Sequence, residues 1–192
     1  MPLPAGIGAR FELRGALGAG SMGVVLRAFD RELGREVALK TLPDRGLEET
    51  LHLKAEFRLL ANVLHPNLVE LFELFSGDEH CFFTMELLAG VTFDQHLAAA
   101  VDIDARVARV VAALPQLVSG IATLHAADTL HCDIKPSNIM VDGARVVLLD
   151  FGLAQRLWGA DQAAESGGTW DYMAPEAVWG RAGPAADWYS LG

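Results

Sequence analysis

The sequence predicts an α+β fold in two parts, β-rich over residues 1–86 and mainly helical over 87–192. Three observations lead there. Strand-like runs dominate the first part and are interrupted by one helical stretch. After "LLAG" (87–90) the apolar spacing changes to that of helices. No linker, repeat or low-complexity tract separates the parts, so they read as the two lobes of one unit long enough to bury a core.

In order, Phe11 and Leu13 alternate with Arg10, Glu12 and Arg14, a half-buried strand that runs into glycines. "GVVLRAF" (23–29) and "EVALKTL" (36–42) are further strands around the turn-like "DRELGR". Between Leu47 and Leu64 a helix is expected, with Leu47, Leu51, Ala55, Leu59 and Val63 recurring along it. Glu56, Leu60 and Val63 share a face that would point Glu56 inward. "HPNLVELFEL" (65–74) stops that helix at a proline and starts a strand, and "HCFFTMELL" (80–88) is another. "TFDQHLAAA" and the stretch from Asp102 to Ala127 read as helices, with Pro115 expected to kink or break the second. "IMV" and "RVVLLD" are short strands joined at the Asp142-Gly143 hairpin signal. From Gly152 onward, mostly loop is expected.

Bulk properties narrow the function. A formal charge of −10 supplies no basic surplus to displace counterions from nucleic acid. Two cysteines, Cys81 and Cys132, fit a reducing compartment and no disulfide framework. The uncharged run from Val110 to Ala127 approaches membrane-spanning length, but Pro115, Gln116, Ser119, Thr123 and His125 interrupt it. It reads as a core helix, and no membrane segment is expected. "MPLPAGIGAR" lacks the basic start and apolar run of a signal peptide, so a cytoplasmic location is the default.

Only three of fifteen basic residues are lysines: Lys40, Lys54 and Lys135. Lysine in "VALK" and "DIKPSN", in a chain that otherwise uses arginine, points to positions that need a compact ammonium. "GALGAGSMGVV" (15–25) holds Gly18-x-Gly20-x-x-Gly23-x-Val25, glycines that let backbone approach phosphate. Strand-like sequence follows it, which disfavours a dinucleotide-binding turn, where a helix would follow. "HCDIKPSN" (131–138) is a polar turn on one reading; on the other, Asp133 takes a proton, Lys135 neutralises phosphate and Asn138 helps hold a divalent metal. Asp150 opens "DFG" after a strand, where a carboxylate suits magnesium.

With "HPNLVEL", "GTWDYMAPE" and "DWYSLG" these motifs span residues 18–192 in an order that resembles protein kinases, similar to the bacterial Hanks-type Ser/Thr enzymes. The resemblance implies a two-lobed kinase-like fold, ATP and Mg2+ as cofactors, and a protein Ser/Thr hydroxyl as acceptor, with no nucleic-acid partner. It implies that Gly18, Ala19, Gly20, Ser21, Met22 and Gly23 cover the phosphates, and that Lys40 contacts them while pairing with Glu56. Asp133 becomes the base and Lys135 stabilises the transferred phosphoryl, while Asn138 and Asp150 hold the metal. Adenine is expected beside "MELL", with Met85 as gatekeeper, Glu86 to Leu88 as hinge, and Val25 and Ala38 above it.

Departures from the family pattern matter. Cys132 stands where arginine usually binds an activation-segment phosphate, and is expected as a small buried residue. Activity would then not depend on phosphorylation at Ser166, the better modification candidate, while Thr169 is expected to support Asp133. Trp170 replaces a more usual proline. Asp187 should begin the central helix of the large lobe and anchor the catalytic-loop backbone. The family's later helices are not in the chain, so a C-terminally incomplete large lobe with an exposed apolar interior is expected, along with missing helices or domains as partners. A nucleotide-binding, pseudokinase-like module or inactive fragment is the first alternative. A small-molecule phosphotransferase is the second, disfavoured by "GTWDYMAPE".

Overall fold

Glycine-interrupted alternation from Phe11 gives the first strand of a five-stranded sheet. The computed structural model describes residues 5–20, 23–42, 47–76, 81–150, 170–179 and 183–192. A short helix α1 (Ala5–Arg10) leads into β1 (Phe11–Gly20), followed by β2 (Gly23–Asp30), β3 (Arg35–Leu42), helix α2 (Leu47–Ala61), β4 (Leu71–Ser76) and β5 (Cys81–Glu86). The sheet order is β1-β2-β3-β5-β4, with every neighbouring pair antiparallel. β1 shifts register between Leu13 and Gly15, where Gly15 adopts φ +137°, and again between Ala16 and Gly18. Both shifts fall where the glycines free the backbone to bulge.

Register separates the two faces of this sheet. One carries Ala28, Val37, Leu39 and Phe82, buried with Phe11 in an apolar cluster. Phe75 stacks on Phe82 at 4.7 Å, and Phe11 meets both rings edge-on. The other carries Val25, Ala38, Lys40, Phe83 and Met85, and α2 packs there through Phe57, whose ring lies 5.8 Å from that of Phe83. The turn after β2 is held by Asp30, which is fully buried. Its carboxylate takes a two-pronged bond from Arg10 and also accepts from the N–H groups of Glu32 and Leu33. Burial alone would raise this carboxyl; Arg10 and the two N–H groups bring it below its usual range.

The buried side of α2 carries Leu60, as expected of the face it shares with Glu56 and Val63, and not the row of Leu51 and Leu59. Leu53, Phe57 and Leu60 are buried, at positions i, i+4 and i+7, whereas Leu51 and Leu59 are 57% and 64% exposed. Phe57 has the largest apolar surface available to that helix, and the helix turns to bury it. The helix also ends at Ala61, earlier than Leu64.

The second unit contains β6 (Val91–Thr92), α3 (Phe93–Ala98), α4 (Ile103–Ala126), β7 (Ile139–Asp142), β8 (Arg145–Leu148) and α5 (Pro184–Leu191), with 3-10 turns at 136–138, 170–172 and 177–179. A division at residue 86 misplaces one segment. Residues 1–61 with 70–87 form one compact unit, and 62–69 with 88–192 form the other. The reason lies in the backbone of 67–69, which pairs with β8: Leu148 N–H donates to Asn67 O at 2.9 Å, and Val69 N–H donates to Leu148 O at 3.0 Å. Arg145 also donates to the Pro66 carbonyl.

Asp102 caps α4 by accepting from Ala105 N–H at 2.7 Å. The helix then runs through Pro115 without a break. Pro115 and Val111 both lie on the exposed side, so the carbonyl that loses its helical partner is accessible to water. The opposite side (Ala113, Leu117, Gly120, Ile121 and Leu124) is buried as in a core helix. α4 is nonetheless long and apolar enough to cross a bilayer by length and composition. A Cβ on Gly120 would stand 3.2 Å from Asn67 O and 3.3 Å from Leu148 Cδ1, so glycine permits the close approach of helix to strand. β7 and β8 pair from Ile139↔Leu148 to Asp142↔Arg145, and Gly143 turns with φ +62°.

Candidate active site

The catalytic-looking loop lies between α4 and β7 and is fixed from beneath by one carboxylate. Asp187, 1% exposed on the first turn of α5, accepts from His131 N–H at 2.9 Å and Cys132 N–H at 2.7 Å. His125 Nε2, from the end of α4, lies 2.8 Å from the same carboxylate. The anchoring expected of Asp187 is therefore present. It holds Cys132 at φ +63°, a left-handed conformation uncommon for a residue with a Cβ. Cys132 itself is partly exposed rather than buried, and its backbone N–H is secured by Asp187.

Beyond that turn three of the expected residues converge. Lys135 Nζ stands 2.9 Å from Asp133 Oδ2. Asn138 Nδ2 donates to the same oxygen at 2.7 Å and to the Asp133 carbonyl at 2.9 Å. The 3-10 turn of Pro136–Asn138 makes this possible by folding Asn138 back over the loop, with Asn138 N–H donating to Lys135 O. His131 lies inside, its Nδ1 accepting from Asp133 N–H at 3.3 Å. Burial holds the imidazole below its usual pKa, against the opposing pull of Asp187, Asp133, Asp150 and the Leu149 backbone.

Asp150 lies two residues beyond β8, in a left-handed conformation at φ +56°. The preceding Leu149 N–H donates to Asn138 O at 2.8 Å, so strand and loop are tied one residue from Asp150. The donor chemistry fits a hard divalent cation. Asp150 offers carboxylate oxygens, and Asn138, with its nitrogen committed to Asp133, has its amide oxygen as the atom that could bind a cation. Among the described residues no group of three or more His, Cys, Asp or Glu could cage a metal. Magnesium takes one or two protein oxygens and completes its shell with water and phosphates.

In the first unit, Val25 pairs with Lys40 and Ala38 with Met85, so these four share the sheet face on which α2 packs through Phe57. Lys40 is 6% exposed. Gly18, Ala19 and Gly20 lie on β1 opposite Val25, Val24 and Gly23 of β2, which makes the glycine-rich stretch a hairpin. Glu86 ends β5 and donates its N–H to Glu70 O, and at Leu88 the chain re-enters the second unit. Ser21, Met22, the Glu56 side chain with its expected pairing to Lys40, Ser166 and Thr169 lie outside the described residues. Gln116 and Asn67 escaped the sequence reading as site-supporting residues. The available signal was a lone glutamine within the apolar run of α4.

The kinase domain of PknI from Mycobacterium tuberculosis superposes with a TM-score of 0.77 at 26% identity, covering 100% of this chain and 74% of that chain. Serine/threonine-protein kinase pkn2 of Myxococcus xanthus is 33% identical over 199 residues, which is 95% of this chain and 23% of that protein. CBL-interacting protein kinase 19 of Oryza sativa subsp. japonica is 34% identical, over 95% of this chain and 37% of that protein. The chain thus spans well under half the length of these two curated relatives. Residues 11–192 match the protein kinase domain model, and on that match this chain belongs to the protein kinase family.

Proposed function

We propose that the chain transfers the γ-phosphoryl of ATP, as its magnesium complex, to Ser or Thr hydroxyls of a protein, in the cytoplasm. The supporting observation is the arrangement around Asp133. Lys135 and Asn138 both bind Oδ2, which orients the carboxylate and leaves Oδ1 to receive the proton of an incoming hydroxyl. Lys135, beside that carboxylate, supplies a positive charge for the phosphoryl in transit. Asn138 and Asp150 would hold magnesium, which neutralises charge developing on the phosphates. Lys40 would position the phosphates with Glu56 as its partner, and residues 18–23 would cover them. Val25, Ala38, Met85 and the backbone from Glu86 to Leu88 would take the adenine. Residues 1–86 and 87–192 serve as the two lobes, apart from the 62–69 segment.

The test is transfer from γ-labelled ATP to generic protein substrates with magnesium, followed by phosphoamino-acid analysis. Label on Ser or Thr is expected, abolished by Asp150→Asn and by Lys40→Met. Asp133→Asn is expected to slow transfer by about 10²–10⁴, the worth of a positioned base. Wild-type turnover in Asp150→Asn would sink the metal assignment, and no transfer by the wild type would sink the function.

A further inference from the structure

Gln116 lies on α4, away from the catalytic loop, yet its amide serves the strand that leads to Asp150. Its Oε1 accepts from Val146 N–H at 2.9 Å and from Asn67 Nδ2 at 2.7 Å. Its Nε2 donates to Ala144 O at 3.0 Å. Asn67 Nδ2 also donates to Val146 O at 2.8 Å. One edge of β8 pairs with β7. The other has the backbone of 67–69 at Leu148, and at Val146 two side-chain amides stand in for a strand.

Val146, Val147 and Leu148 are buried, so this edge cannot rely on water for its backbone groups. Without Gln116 the Val146 N–H loses its acceptor and the hairpin end loses its tie to α4. Three residues further on, Leu149 binds Asn138 O, and Asp150 follows. The position of β8 therefore sets both oxygen donors assigned to magnesium, although Gln116 touches neither.

We infer that Gln116, with Asn67, is a positioning residue for the Asn138–Asp150 pair, fixing metal affinity through the placement of β8. The metal part rests on the kinase reading; the placement of β8 does not. Residues that support metal ligands from behind are typically worth 10–100-fold in metal affinity or activity.

The test uses the full chain and three variants. Gln116→Met keeps the volume and removes the hydrogen bonds. Gln116→Glu keeps the acceptor for Val146 and Asn67. Ser119→Ala breaks a different tie of α4 to the 62–69 segment, the 3.0 Å contact of Ser119 Oγ with His65 Nε2. Readouts are Mn2+ binding by electron paramagnetic resonance with a non-hydrolysable ATP analogue, and amide exchange at Leu148 and Leu149. Gln116→Met is expected to weaken Mn2+ about tenfold and speed exchange at both amides, with the magnesium requirement of transfer rising in step and kcat at saturating magnesium kept within about twofold. Ser119→Ala should match wild type in both readouts.

Unchanged Mn2+ affinity in Gln116→Met, or an equal loss in Ser119→Ala, overturns the inference. If Gln116→Met does not fold, Gln116→Glu decides: it should retain protection at Leu148 and Leu149 and Mn2+ affinity within about threefold, and a larger loss overturns the inference. If the wild type transfers no phosphoryl group while the difference in Mn2+ affinity persists, the kinase reading fails and the positioning role stands. If the wild type binds no Mn2+, the claim about metal affinity is overturned, and the exchange readout decides the placement of β8.

Discussion

Asp187 serves three donors from a position 1% exposed, and its removal strands them. Each buried donor left without a partner costs about 1–3 kcal/mol. Asp187→Ala should therefore lose on the order of 3–5 kcal/mol in urea denaturation, and Asp187→Asn, which keeps one acceptor oxygen, clearly less. His131 gives a pH signature. Its folded pKa is depressed by burial below the ordinary 6.5, so between those values the unfolded chain binds a proton that the folded chain refuses. Stability should be insensitive to this group above pH 6.5 and fall as acid is added below it. Burial, with help from Arg109, depresses His96 in the same direction. Denaturation midpoints measured from about pH 7 down to pH 5 should decline less steeply in His131→Phe, with His96 left to account for the remainder. Asp187 was legible because its motif and its place at a helix start were both visible in sequence. Its contact with His125 was not, since 62 residues separate them and no spacing rule reaches that far.

At the scale of elements, order and type were largely readable because the apolar periods are strong. Orientation was less so. The spacing in 47–63 offered two faces of α2, the leucine row and the face that carries Leu60, and the contact between Phe57 and Phe83 goes with the second; only the partner sheet decides between them. Pro115 was expected to interrupt α4 because the local rule sees the lost hydrogen bond and not the packing on the opposite face. That packing carries the helix through, while the local cost remains. Pro115→Ala restores an N–H at an exposed position and should stabilise the protein by about 1–3 kcal/mol, part of the usual cost of proline inside a helix. A thermal melt checks it, and a lowered melting temperature would mean that the ring itself contributes to packing.

Across the whole molecule, apolar surface is left open along α4, where Ile103, Val107, Val111 and Val118 recur at helical spacing and Val111 is 59% exposed. Trp179 and Tyr189 are exposed as well. Contiguous apolar surface of this kind promotes association. The protein should bind a hydrophobic dye and self-associate, and Val107→Glu with Val111→Glu should reduce both without lowering the melting temperature. Unaltered dye binding would place the sticky surface elsewhere. The division into two units was legible from the change of apolar period near residue 87. The excursion of 62–69 was not, since its cause is backbone pairing with a strand nearly eighty residues later. The Asp187 anchor has a further consequence, one of timing. The N–H of His131 waits for an acceptor 56 residues downstream. Chains emerge from the ribosome at about 5–20 residues per second, so the loop that carries Asp133 spends several seconds made but unfastened. The β-rich unit, complete by Leu87, can assemble during that interval. The loop is thus late to mature: a nascent chain can carry Asp133, Lys135 and Asn138 and still lack the anchored loop until Asp187 arrives to fasten it.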